Sequence, residues 1–269
     1  MICFFLPLCS YHSVFYRIMQ QKTNITGAFA SALTIGYHRD TGGEDKMKTI
    51  VCYGDSNTHG YDPRNGGRYD YVVRWPGQLQ TLLGREEYYV IEEGLNSRTT
   101  VQSDMCYDDN KSGVELLPAI LKTHMPVDLL ILMLGSNDMK QRFHMEPAEI
   151  ARGAALLVTT AKQVSASKHP EGKSCSILLV APPPITEALR DGSCYGEFGD
   201  RAIRISQELS SWYKRVAESQ QVHFLDAAQL VAPSDIDGLH LTQEGHTILA
   251  RHMAEQCRRI FKDISHGSD

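Results

Sequence analysis

The chain has 269 residues, 42% of them hydrophobic and 22% charged, with a formal net charge of −5. That length carries one large domain or at most two small ones, and the mildly acidic balance argues against broad binding of nucleic acid or of an anionic membrane surface. Seven cysteines lie scattered at positions 3, 9, 52, 106, 175, 194 and 257 with no CxxC pair, which reads as reduced thiols in a cytoplasmic protein and not as a disulfide framework.

Residues 1–46 read differently from the rest. Ile2 to Cys9 is apolar but too short to span a bilayer, and neither a basic flank nor a small-residue cleavage site marks a signal peptide. Tyr11 to Asp45 shows no sustained helical or strand period. Codons for Gly42-Gly43, just upstream of Met47, can spell a purine-rich ribosome-binding sequence. The expectation is an N-terminal extension over 1–46 outside the core, an over-extended reading frame whose natural start is Met47, followed by one domain over 47–269. The intact mass of the protein from its native host tests this: a species beginning at Met1 refutes it.

From Met47 onward, short apolar runs alternate with helical patterns. Strand-like segments are Thr49–Tyr53, Tyr88–Ile91, Leu129–Leu134, Ser176–Ala181 and Val222–Leu225. Helical patterns lie between and after them, at Pro76–Leu83, Val114–His124, Pro147–Ser165, Ala202–Ser219 and Gln243–Phe261. The last is the clearest: Thr242 is placed to cap it, Glu244 sits in its first turn, and Leu249, Met253, Cys257 and Ile260 share a face. Strands separated by helices imply a parallel sheet covered on both faces, hence an α/β protein built as a three-layer α/β/α sandwich. Two long segments, Thr58–Trp75 and Thr186–Gly199, follow strand ends and are expected to overhang a ligand site as loops carrying Tyr61, Trp75 and Tyr195.

Four segments carry chemistry. The first strand stops abruptly at Gly54-Asp55-Ser56-Asn57, which sets the Ser56 hydroxyl at the sheet edge where ligands of open parallel sheets bind. Glu92-Glu93-Gly94-Leu95-Asn96-Ser97-Arg98 follows the second strand, with small residues that let backbone N–H groups approach a ligand. Leu134-Gly135-Ser136-Asn137-Asp138 ends the most apolar strand and offers a carboxamide that can donate to developing negative charge. Asp237-Gly238-Leu239-His240 precedes the last helix and holds an acid and an imidazole three residues apart. Each alone also fits a capping or turn residue. No HExxH or paired Cys/His spacing occurs, and His246 and His252 lack the helical spacing of a ligand pair, so neither metal nor other cofactor is expected.

Taken in this order, the four segments resemble the blocks of the SGNH hydrolases, the GDSL-type esterases, over nearly all of residues 48–261. The Glu92–Leu95 and Arg98–Thr100 stretch resembles the arylesterase and acyltransferase branch. The resemblance implies a flavodoxin-like five-stranded parallel sheet of order 2-1-3-4-5. It also implies Ser56 as nucleophile, His240 as general base and Asp237 as the group that orients the imidazole. The oxyanion hole would use the Ser56 N–H, a second N–H at Ser97 in the block of Gly94, and the Asn137 side chain. Two positions depart from the family pattern: Ser97 stands where glycine is usual, and Asn57 where leucine is usual, which makes the rim of the nucleophile more polar. The implied activity is a serine esterase acting on small carboxylic esters through an acyl-enzyme, with acyl transfer to an alcohol as a variant and homo-oligomerisation as in related arylesterases. A carbohydrate O-deacetylase, a thioesterase and a non-catalytic binding module on the same fold are the rival readings. A flavodoxin-type phosphate binder fits less well, because Asp55 would repel the anion.

Overall fold

The structure, a computed structural model, describes residues 47–167 and 172–266. The expectation for residues 1–46 lies outside the described residues.

Five parallel strands form the main sheet: β1 (Lys48–Gly54), β4 (Tyr88–Gly94), β5 (Leu129–Met133), β6 (Ser176–Ala181) and β7 (His223–Asp226). Their spatial order is β4-β1-β5-β6-β7, which is 2-1-3-4-5 when only the strands of this sheet are counted. A two-stranded hairpin, β2 (Tyr61–Asp62) with β3 (Gly67–Arg68), stands apart from it. The helices are the single turn α1 (Ser56–His59), α2 (Trp75–Leu83), α3 (Gly113–His124), α4 (Pro147–Ala166), α5 (Tyr195–Gln220) and α6 (Gln243–His266).

Side chains alternate across a strand, and here both faces are apolar. Ile50 and Cys52 of β1 face a core shared with Trp75 and Leu79 of α2 and Leu249, Met253 and Cys257 of α6. Val51 and Tyr53 face the opposite core, built with Leu117 and Leu121 of α3, Leu157 of α4, and Leu209 and Tyr213 of α5. β5 is buried along its whole length, as a central strand must be. Each fully buried leucine contributes roughly 1.5–3 kcal/mol, so these two cores hold the three layers together.

The expected strands and helices all form, with ends shifted by a few residues. Thr186–Gly199 differs from its expectation as a loop. Glu187–Asp191 makes a 3-10 turn, and Tyr195–Phe198 belongs to α5, which bends at Gly199. The bend interrupts the helical period, and this conceals the first turn of α5 in the sequence. Thr242 caps α6 as expected, its Oγ1 accepting the Gly245 N–H at 3.0 Å.

Strand register brings the site together. Gly54 pairs with Gly94 on one side and with Met133 on the other, so three of the four chemical segments leave the sheet at one edge. That edge lies at the switch point between β1 and β5, where the chain turns to opposite sides of β1 and a crevice opens.

Candidate active site

Ser56 is the first residue of α1. Asp55 caps this turn, its Oδ1 accepting the Asn57 N–H at 3.0 Å. A helix start leaves its first N–H groups without partners inside the helix, and that of Ser56 is one of them. α1 sits hard on β4: a Cβ on Gly94 would lie 2.1 Å from the backbone nitrogen of His59, so only glycine admits this approach.

Ser56 Oγ lies 3.0 Å from His240 Nε2, and His240 Nδ1 lies 2.6 Å from Asp237 Oδ2. A carboxylate can only accept, so Nδ1 carries the proton and the Nε2 lone pair faces the serine hydroxyl. Burial pushes the Asp237 carboxyl up. The hydrogen bond and charge of His240, with the amides of His240 and Leu239, outweigh it and hold Asp237 below the ordinary carboxylate range. Its Oδ1 accepts from Ser234 Oγ at 3.2 Å, Leu239 N at 3.1 Å and His240 N at 3.0 Å. Gly238 takes φ 64° in this turn, and a Cβ there would lie 2.3 Å from Leu189 N, so the turn and the Glu187–Asp191 segment fit together only around glycine.

On the other side of Ser56, Asn137 donates from Nδ2 to the Arg98 carbonyl at 3.1 Å. One amide hydrogen is thereby fixed and the other remains for a ligand. Ser97, just before Arg98, has φ 65°, in the left-handed region that favours glycine. Its amide has no acceptor among the described residues. The Arg98 guanidinium is buried, lies 4.1 Å from the Tyr53 ring centroid, and donates to the carbonyls of Gly54 (2.9 Å) and Glu93. It thus ties the ends of β1 and β4 together. Asp138 accepts the Thr100 N–H at 2.9–3.0 Å and fixes the next part of the same loop; burial pushes its carboxyl up to about 6 although the Thr100 hydrogen bonds pull it down.

An outer brace surrounds this edge. Buried Lys140 lies 3.3 Å from Asp104 and 3.3 Å from Glu197, while Arg142 bridges the same two acids at 2.9 and 2.7 Å. The brace joins the loop after β4, the loop after β5 and the first turn of α5.

The structure therefore brings together Ser56, Asp237 and His240, with Asn137 held to Arg98 beside Ser97. Of the four residues expected to line a pocket, Tyr61 is half-buried and its ring lies 4.2 Å from that of His240. Tyr195 is 38% exposed and sits among Arg190 and Asp200 at the surface, its hydroxyl 3.5 Å from Asp200. Two expectations are corrected. Trp75 is 0% exposed and belongs to the core between α2, α6 and the sheet, because it opens α2 with its side chain inward. Asn57 does not make the rim polar: it is 4% exposed, and both ends of its carboxamide are bonded to the backbone around His240. Sequence reasoning missed the parts of Arg98, Asp138 and Ser234, whose only signal was a charged or hydroxylated residue set among turn-forming ones.

Residues 52–248 match the model of the GDSL-like lipase/acylhydrolase family. The chain belongs to that family. Among solved structures, this GDSL-like acylhydrolase is 36% identical to Est24, a carbohydrate acetylesterase from Sinorhizobium meliloti, covering 79% of this chain and 99% of that one with a TM-score of 0.73. It is 34% identical to the aryl esterase of M. smegmatis, over 79% and 99% of the two chains, again with a TM-score of 0.73. A G-D-S-L family protein from Veillonella parvula, 14% identical over 77% and 97% with a TM-score of 0.55, shares the fold. No curated protein matches the chain by sequence. Like its family, this acylhydrolase is a carboxylic ester hydrolase. No helix among the described residues is long and apolar enough to cross a membrane.

Proposed function

We propose that the chain is a serine esterase that cleaves small carboxylic esters through an acyl-enzyme on Ser56, with residues 47–269 as its catalytic domain. The observation that carries this reading is the continuous path from Ser56 Oγ to His240 Nε2 at 3.0 Å and from Nδ1 to Asp237 at 2.6 Å. As Oγ attacks the ester carbonyl, Nε2 takes its proton. Asp237 steadies the imidazolium that forms. The carbonyl oxygen, now an oxyanion, is received by the Ser56 and Ser97 N–H groups and the free amide hydrogen of Asn137. Collapse breaks the ester C–O bond, and the alcohol leaves with the proton held by His240. Water then attacks the acyl-enzyme with His240 again as base, returning the Ser56 hydroxyl and releasing the acid; an alcohol in place of water gives acyl transfer. Tyr61 walls one side of the imidazole and Tyr195 stands further out on the rim. The five described free cysteines favour a reducing, cytoplasmic setting.

Labelling by a fluorophosphonate, compared between the wild type and Ser56→Ala, tests the assignment: label on the wild type and none on the variant supports it. Label that persists on the variant refutes it, and absence of label on both favours a non-catalytic binding module. A second reading, a carbohydrate O-deacetylase, rests on the likeness to Est24 across almost the whole of that protein. Turnover of acetylated sugars against p-nitrophenyl acetate and butyrate distinguishes the two.

A further inference from the structure

We propose that Asn57 is a positioning residue that sets His240 against the nucleophile, an inference that rests on the serine esterase reading above. Asn57 directly follows Ser56, and its own N–H is held by Asp55 at 3.0 Å. Its side chain crosses to a segment more than 180 residues away in the chain. There Nδ2 donates to the Leu239 carbonyl at 3.2 Å and Oδ1 accepts the Leu241 N–H at 2.9 Å. These two backbone groups flank His240 on either side. The carboxamide thus pairs one donor and one acceptor with the backbone on either side of His240, where the chain bends, and the imidazole between them reaches Ser56 Oγ at 3.0 Å.

The consequence is geometric. Asp237 fixes the tautomer of His240 and the orientation of its ring, but Asp237 lies on the same loop as His240 and would move with it. Ser234 is bound in the same way, its N–H donating to the His240 carbonyl at 2.7 Å. Beyond the Ser56–His240 contact itself, the Asn57 carboxamide ties this loop to the α1 turn carrying Ser56 through two further hydrogen bonds. It is buried, and water cannot readily replace it. Asn57→Leu keeps a similar volume and removes both bonds. Asn57→Asp keeps the acceptor for Leu241 and loses the donor for Leu239, with the carboxylate facing a carbonyl oxygen.

The test uses the full chain with p-nitrophenyl acetate as substrate, kcat expressed per active site titrated, and a fluorophosphonate as a second probe. Misplacing a base by about 1 Å costs on the order of 10² in rate. Both variants are therefore expected to lose roughly that factor in kcat and in the rate of fluorophosphonate labelling, with KM unchanged. Asn57→Asp, nearly isosteric, carries the test should Asn57→Leu fail to fold. Wild-type kcat per titrated site, even with a lowered melting temperature, would reduce Asn57 to a stabilising residue and overturn the proposal. So would a raised KM at unchanged kcat, which would return Asn57 to the substrate pocket. A wild type that takes no label would instead sink the esterase reading, and the clamp with it.

Discussion

Asp55 offers a quantitative check on the energetics of the α1 turn. Its carboxyl is buried beneath Ser56, with Oδ1 bonded to the Asn57 N–H and no partner for Oδ2. Burial raises its pKa from 3.8 to about 6, against the pull of the Asn57 amide and of the charges on His240 and Arg98. A folded pKa above the unfolded one means that the stabilising contribution is complete below about pH 3.8 and is lost as pH rises through about 6. About two units at ~1.4 kcal/mol each make the ionised form cost the fold about 3 kcal/mol at pH 8. Asn is an equally good cap and carries no charge, so Asp55→Asn keeps the α1 turn. The variant should exceed the wild type by about 3 kcal/mol at pH 8, narrowing to roughly half of that at pH 5. Urea unfolding of both proteins at the two pH values measures this. Asp138 and His246 titrate in the same range, but both are present in the two proteins and largely cancel from the difference. A gain independent of pH, or a loss at pH 8, would refute the reasoning. A rate penalty is expected alongside the gain, because the Asp55 charge attracts the imidazolium.

Asn137→Ala should lower kcat by about 10²–10³ with little change in KM, since its free amide hydrogen would act on the transition state and not on the bound ester. Steady-state kinetics decide it, and an unchanged kcat removes Asn137 from the oxyanion site. Ser97→Gly should stabilise the fold by about 0.5–1 kcal/mol by relieving its left-handed backbone, offset in part by glycine's greater freedom when unfolded. Its amide stays in place, so kcat should hold; chemical denaturation with parallel assays checks both. Asp104→Ala leaves the buried Lys140 ammonium without its buried partner and should cost about 3–5 kcal/mol in urea unfolding. A cost below about 1 kcal/mol would mean that Glu197 and Tyr107 satisfy Lys140 without Asp104.

Much of this molecule was legible in its sequence. The apolar runs that become β1 and β5 are short and end in Gly-Asp-Ser-Asn and Gly-Ser-Asn-Asp, so the positions of Ser56 and Asn137 follow from where the strands stop. What sequence spacing does not convey is side-chain direction. Asn57 is adjacent to Ser56, but one residue along a helical turn rotates the side chain by about 100°, and that carries it away from the rim into the protein. Trp75 lies beside a Gly-rich loop and suggests a pocket, whereas it opens α2 just ahead of Pro76 and the indole becomes the helix's anchor in the core. The left-handed backbone at Ser97 was hidden because the residue present is not glycine. The brace around Lys140 was invisible for a different reason: its members come from three segments that only the folded sheet brings together.

That brace divides the rim of the crevice into a part that can be rebuilt and a part that cannot. The β2–β3 hairpin carries Tyr61 at its base, and its tip at Arg64–Gly66 is exposed and outside the brace. That tip can be lengthened to admit bulkier alcohols without touching the brace, provided the Arg64–Asp62 pair and the bonds of Arg68 to His59 and Glu92 are kept. The stretch after β4 that holds Asp104 offers no such liberty: transplanting it from another enzyme would strand Lys140 and Arg142, so the loop after β5 and the head of α5 would have to travel with it as one cassette.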